Sequence, residues 1–290
     1  MDGTFSSVPD QFSQLYVIFG SGGAASALIY PCTYALLQSK NSATYKHLLT
    51  VLTKETEHTP KFVQIDFEQA VIKSVRDVFG ERTVVRGCRF HRKKNLFFQV
   101  GQKGCLDLFY HNETFQVGIA LVYCLDMVPS SDVCHAWTNV IRPYFDQHFD
   151  YEENPEIEDF LFYVERAYIG TLNQATGERR RPMFPISIWN TYQLVLDDEP
   201  MTNNSVESWN ARWNSTLGTN HNILRVVNAF KNEDSLARTK FLEAMSGRAI
   251  DPNPARKTRT ERRLAELEAT LANYSKDNMK DYMFMLHGGE

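Results

Sequence analysis

The chain has 290 residues, 43% of them hydrophobic and 12% aromatic, and its formal net charge is −4. That length can bury one large core or a core with an elaboration, and the charge excludes an overall pull toward nucleic acid, so any DNA contact must come from local basic patches. Five scattered cysteines with no Cys-x-x-Cys pair imply a reduced, intracellular protein, and with no basic-then-apolar leader and no apolar run of bilayer length, neither secretion nor a membrane is expected.

In chain order, Asp2-Gly3-Thr4-Phe5 and the apolar run 14–19 read as strands. A third is expected at Ala27-Leu28-Ile29-Tyr30, after the turn signal Gly20-Ser21-Gly22-Gly23 and before Pro31, so that three antiparallel strands follow one another. Asn41 or Ser42 caps a helix carrying Tyr45, Leu48, Leu49 and Leu52. Phe62-Val63-Gln64-Ile65 is β-branched and aromatic and runs into Asp66-Phe67-Glu68. A carboxylate therefore stands at the carboxyl end of a strand, the edge where ligands gather in α/β sheets. Ala70, Val71, Val75, Val78 and Phe79 recur at helical spacing, Gly80 stops the helix and Thr83-Val84-Val85 opens another strand, which together read as a parallel crossover. A helix over 94–100 follows, giving the order β-β-β-α-β-α-β-α.

From 101 to 200 the apolar period is helical, over 115–125, 133–145 and 157–168, with an acidic stretch at 150–159 and a basic, Pro-punctuated loop at 179–185. After Pro200 a new helix sets Trp209 and Trp213 on one face, and a further one covers 223–230. Beyond the break at Pro252 and Pro254, Leu264, Leu267, Leu271 and Tyr274 stripe a charged terminal helix. The expected division is a core over 1–100, a helical insertion over 101–200, returning core helices over 201–247, and a basic linker with a terminal helix over 248–290.

Three carboxylates, Asp2, Asp66 and Glu207, each sit at the edge or start of an element. Hard oxygen ligands converging in that way bind magnesium, and two such ions about 3.5–4 Å apart clamp an in-line displacement at a phosphodiester. Other readings stay open. Asp2 belongs equally to a loose terminus, Asp66 to a cap of the next helix, and Glu207 to a capping box with Asn204. Cys88-x-x-His91 is half of a zinc site that neither Cys105 nor His111 completes, so zinc is not expected. The basic patch of Arg86, Arg89, Arg92, Lys93 and Lys94 is either a DNA contact or a solvated face, and the same holds for Arg179-Arg180-Arg181 and the cations of 248–263.

Six segments occur in a fixed order: Asp2-Gly3-Thr4-Phe5, Pro31-Cys32-Thr33-Tyr34-Ala35-Leu36-Leu37, Ile65-Asp66-Phe67-Glu68-Gln69-Ala70, Gly87-Cys88-Arg89-Phe90-His91, Trp189-Asn190, and Thr202-Asn203-Asn204-Ser205-Val206-Glu207-Ser208-Trp209-Asn210. Together, over roughly 2–230, they resemble the transposase domain of Mutator-like elements (MULE), of the DDE, ribonuclease H-like superfamily. The resemblance implies an α/β fold: a ribonuclease H-like mixed five-stranded sheet with flanking helices and a large all-helical insertion before the last acidic residue. It implies an acidic triad of Asp2, Asp66 and Glu207 holding two Mg²⁺ or Mn²⁺ ions, and metal-dependent DNA strand cleavage and transfer. Cys88 and His91 then form a family signature with no settled role. Double-stranded DNA is the implied partner, with Arg89, Arg92, Lys93 and Lys94 as candidate contacts. A homo-oligomer and a nuclear location go with it. The chain departs from the family pattern at Met201, where arginine is usual, at Asn210, where histidine is usual, and before Asp2, where the family strand starts several residues earlier. A truncated copy is therefore expected. The alternative is a catalytically inactive, domesticated transposase serving as a DNA- or protein-binding module.

Overall fold

The structure, a computed structural model, describes residues 1–4, 8–21, 29–197, 199, 201, 204–217, 222–246 and 254–288. The chain forms two compact units, one of Met1–Arg86 with Asn203–Pro254, the other of Gly87–Thr202 with Ala255–Glu290.

The first unit is built on three antiparallel strands, β1 (Asp2–Thr4), β2 (Gln14–Gly20) and β3 (Tyr30–Leu37), in the order β1-β2-β3. Asp2 pairs with Val17 and Gln14 with Leu37. The third strand thus runs on past Pro31, where the sequence pattern ends it, and the expected turn at Gly22-Gly23 and strand start at Ala27-Leu28 lie outside the described residues. Proline is tolerated there for two reasons: β3 is an edge strand, and Pro31 faces Phe19 beside a register shift between Ile18 and Phe19.

Strand β2 is buried from Gln14 to Ile18 and so needs cover on both faces. On one face Tyr16 meets Tyr45 of α1 (Ser42–Thr56), ring centroids 5.1 Å apart. Asn41 caps that helix, its side chain accepting from Thr44 N at 2.9 Å. Between α1 and the later helices come β4 (Phe62–Ile65), α2 (Gln69–Phe79) and β5 (Val84–Gly87), with β4 and β5 paired in parallel and Gly80, at φ 69°, ending the crossover helix. Mixed α/β architecture is as expected. The described pairings, however, form a three-stranded and a two-stranded sheet, not one sheet of five. Where these sheets meet, the α-amino group of Met1 donates to Gln64 O at 2.9 Å.

The first segment of the second unit carries α3 (Arg89–Gln102), α4 (Leu106–His111), α5 (Glu113–Cys124), α6 (Val133–Ala136), α7 (Arg142–His148), α8 (Pro155–Val164), α9 (Ile186–Trp189) and α10 (Tyr192–Leu196), with a non-helical loop over 170–185 closed by a bridge between Leu172 and Arg179. Its core holds Phe115, Trp137, Phe145, Phe160, Tyr168 and Trp189. Gly118 lets Phe145 approach to a distance that a side chain on α5 would fill.

The other face of β2 is covered from the far end of the chain. Helix α11 (Asn204–Leu217) lays Trp209, Trp213 and Leu217, spaced four apart, against Leu15 and Val17, and α12 (Ile223–Met245) adds Val226. Trp213 stacks on Trp209 at 5.1 Å and on Phe230 at 5.2 Å. Helix α13 (Pro254–Ala272) returns to the second unit, where the chain adds α14 (Met279–Gly288), a helix absent from the sequence reading. Tyr282 of α14 donates to Met127 O.

The aromatic stack makes Trp213 the residue to test. Trp213→Ala should cost about 3–5 kcal/mol, seen as a lower urea midpoint. Trp213→Phe should cost less, because a ring remains in the stack and the indole Nε1 is buried without an acceptor among the described residues.

Candidate functional site

Val63 and Ile65 alternate into the core, which fixes β4 and sets Asp66 immediately beyond its carboxyl end. Asp66 is half-buried, with Oδ1 sealed from solvent. Two residues on, Glu68 stands at the N-cap position of α2 but does not use its side chain as a cap. Instead its Oε2 accepts from Tyr45 OH at 3.1 Å, and that hydroxyl accepts from Gln14 Nε2 at 2.7 Å. Gln14 and Tyr45 are each only 1% exposed. Burial, and after it the charge of Asp66, push the Glu68 carboxyl above its ordinary value, against the Tyr45 hydrogen bond and the charge of Lys40. Burial likewise raises the Tyr45 hydroxyl well above its usual range, with Glu68 and Asp66 adding to it and the Gln14 bond opposing it.

Glu207 lies in the first turn of α11, half-buried, with Oε1 sealed from solvent. Seven residues on, Asn214 occupies the same side of the helix, and its Oδ1 accepts from Thr4 Oγ1 of β1 at 3.1 Å. Asp2 is two positions before Thr4 in the same strand, and its side chain lies outside the described residues. So does that of Asn204, on which the capping-box reading of Glu207 depends.

The signature pair falls in the second unit, at the start of α3. Cys88 is buried at the N-cap position and His91 is half-buried one turn on, with Cys88 Sγ and a His91 ring nitrogen within 4.8 Å. Of the four candidate DNA contacts, Arg92 is 0% exposed. Its guanidinium donates to Tyr123 O at 3.0 Å and Val122 O at 2.9 Å, lies 4.6 Å from the Trp189 ring centroid, and stands 3.5 Å from Asp126. It has no surface to offer a ligand. Burial pulls its pKa down and Asp126 holds it up, which is the balance expected of a desolvated ion pair. Arg89 shares Asp126 at 2.8 Å but also lines an open pocket of about 320 Å³ with Lys93 and Arg263, floored by Met127, Leu267 and Leu286. Lys94 is exposed.

Sequence reasoning missed Gln14, Tyr45 and Asp126. Tyr45 was legible only as part of the apolar stripe of α1, and Asp126 is separated by 37 residues from the arginine it serves.

The match that covers the acidic edge is to a transposase domain. It is the MULE transposase domain, whose family model matches residues 1–95, from β1 into α3. The matched stretch includes Asp2, Asp66, Cys88 and His91, while Glu207 lies beyond it. No curated protein and no solved structure matches the chain.

The environment of Arg92 gives a contrast between two cations two positions apart. Arg92→Ala takes one of two cations from buried Asp126, frees the carbonyls of Val122 and Tyr123 and empties the space beside Trp189, and should cost about 3–5 kcal/mol. Lys94→Ala should stay within about 0.5 kcal/mol, as surface substitutions do, in chemical denaturation followed by circular dichroism.

Proposed function

We propose that the chain is a DDE-type transposase domain that cleaves and joins DNA strands with divalent metal ions. One observation carries the reading: a single unit gathers the segments bearing all three acids. The Met1 amine on Gln64 O ties the start of β1 to the end of β4, and Thr4 on Asn214 ties the same strand to the side of α11 that bears Glu207. The two sheets of this unit are, on this reading, parts of one ribonuclease H-like sheet, with the helical stretch inserted before Glu207.

The donor set fits a hard cation. Asp66 and Glu207 supply anionic oxygens held in partly buried positions. Asp2, Asp66 and Glu207 would hold Mg²⁺ or Mn²⁺, which when bound activates the attacking hydroxyl or water and stabilises the leaving oxygen. The chain's own contribution is placement. Strand β4 delivers Asp66 at a rigid edge, the tryptophan stack fixes the rotation of α11 and with it Glu207, and partial burial keeps both carboxylates from bulk water. Exposed Lys94 of α3, with Lys93 and Arg89 on the open pocket, would meet the phosphates of double-stranded DNA and set affinity without reading sequence.

The test is divalent-ion titration followed by thermal shift, with nicking of supercoiled plasmid as the activity. Asp66→Asn and Glu207→Gln should each abolish nicking and the ion-induced rise in melting temperature. Their metal-free melting temperatures should stay within about 2 °C of the parent, the shift caused by roughly 0.5 kcal/mol in a chain of this size. Nicking retained in both variants would reject the triad. DNA binding without nicking or ion response in the parent would make the chain a catalytically silent binding module.

A further inference from the structure

The hydrogen-bonded chain from Gln14 through Tyr45 to Glu68 is more than the packing of this unit requires. Tyr45 already has a packing role, its ring lying 5.1 Å from that of Tyr16, and a phenylalanine would serve it as well. A buried amide, a buried hydroxyl and a half-buried carboxylate in series cost desolvation that only a satisfied network recovers. The network also ends two residues from Asp66, so it pins a second carboxylate just beyond the end of β4. Glu68 has a local alternative that would avoid this. At the N-cap position it could bond the first-turn amides of α2, yet those contacts are made by its backbone carbonyl, to Val71 N and Ile72 N, and its side chain is drawn to Tyr45.

A second carboxylate pinned two residues from Asp66, with its side chain drawn away from the helix cap, makes sense where a cation is to be received. We infer that Tyr45, oriented by Gln14, is a positioning residue that holds Glu68 beside Asp66 as an outer carboxylate of the divalent-ion site. Its role is to accept from a water carried by the ion and to raise the negative potential at Asp66. Outer partners of this kind orient the inner ligands, and their loss typically costs about 10–100-fold in metal affinity. This inference rests on the reading of Asp66 as a metal ligand.

The full-length chain is titrated with Mn²⁺ and its melting temperature followed, so that the readout does not depend on nicking. Glu68→Gln keeps an acceptor for Tyr45 and removes only the charge, and Tyr45→Phe keeps the ring and removes only the hydroxyl. Both should raise the Mn²⁺ midpoint about tenfold or more. Ser74→Ala, which removes the bond from Ser74 Oγ to Ser42 O between α1 and α2, supplies the structural comparison. It should lower the metal-free melting temperature without moving the midpoint. If the parent responds to Mn²⁺ and Asp66→Asn abolishes the response, while Glu68→Gln and Tyr45→Phe titrate like the parent, this inference falls and the triad stands. If the parent shows no response that Asp66→Asn removes, both fall together.

Discussion

Leu15 and Val17 point to one side of β2 and Tyr16 to the other, and water can be left on neither. Much of the first unit follows from that requirement. The nearer cover is local: α1 begins shortly after β3 and brings Tyr45 onto Tyr16. The second cover is not, since Trp209, Trp213 and Leu217 come from the far side of the helical stretch. The chain must come back to finish its sheet, and the helix that brings the tryptophans also brings Glu207. Burial of apolar surface thus delivers a carboxylate to the unit that holds Asp2 and Asp66.

The helical unit solves a different problem with different means. Arg92 is a full charge in a dry place, between the Trp189 ring and the backbone carbonyls of Val122 and Tyr123, with Asp126 as its counter-ion. Replacing such a pair with well-fitted apolar side chains is often neutral or stabilising, so its value lies in the register it imposes between α3, α5 and the segment after α5. Arg89 uses the same aspartate from the rim. One buried carboxylate therefore fixes two cations of the basic run, while Lys93 lies over the Tyr123 ring and Lys94 is exposed.

What could be read in the sequence was whatever has a local cause. The β4-α2-β5 crossover followed from its apolar periods and Gly80, and α1 from its cap and stripe. The ordered motifs led to the family that matches residues 1–95. Where the cause is a distant partner, the reading stopped short. Pro31 reads as a strand end until the edge position and the register shift opposite it are known. Arg92 looks like a member of a surface patch until Asp126 is placed beside it. The three consecutive antiparallel strands were legible, but β1, three residues long, has too little pattern of its own to announce that no described pairing joins it to β4. Tyr45 carries two roles in one position, and the apolar stripe shows only one.

The discontinuity of the first unit has a consequence in time. During synthesis β2 can pair with β3 and receive α1 early, but the face carrying Leu15 and Val17 waits for α11, about 190 residues later, which at about 5–20 residues per second is an interval of roughly 10–40 s. Through that interval a sheet with an apolar side exposed has to survive in the cell. The helical stretch made meanwhile reaches only α10, and its unit still lacks α13 and α14. Any ribosome that stops between the end of α10 and the tryptophan-bearing turns releases a chain in which both units are unfinished, a species that chaperones and proteases would recognise by its stickiness rather than by its sequence.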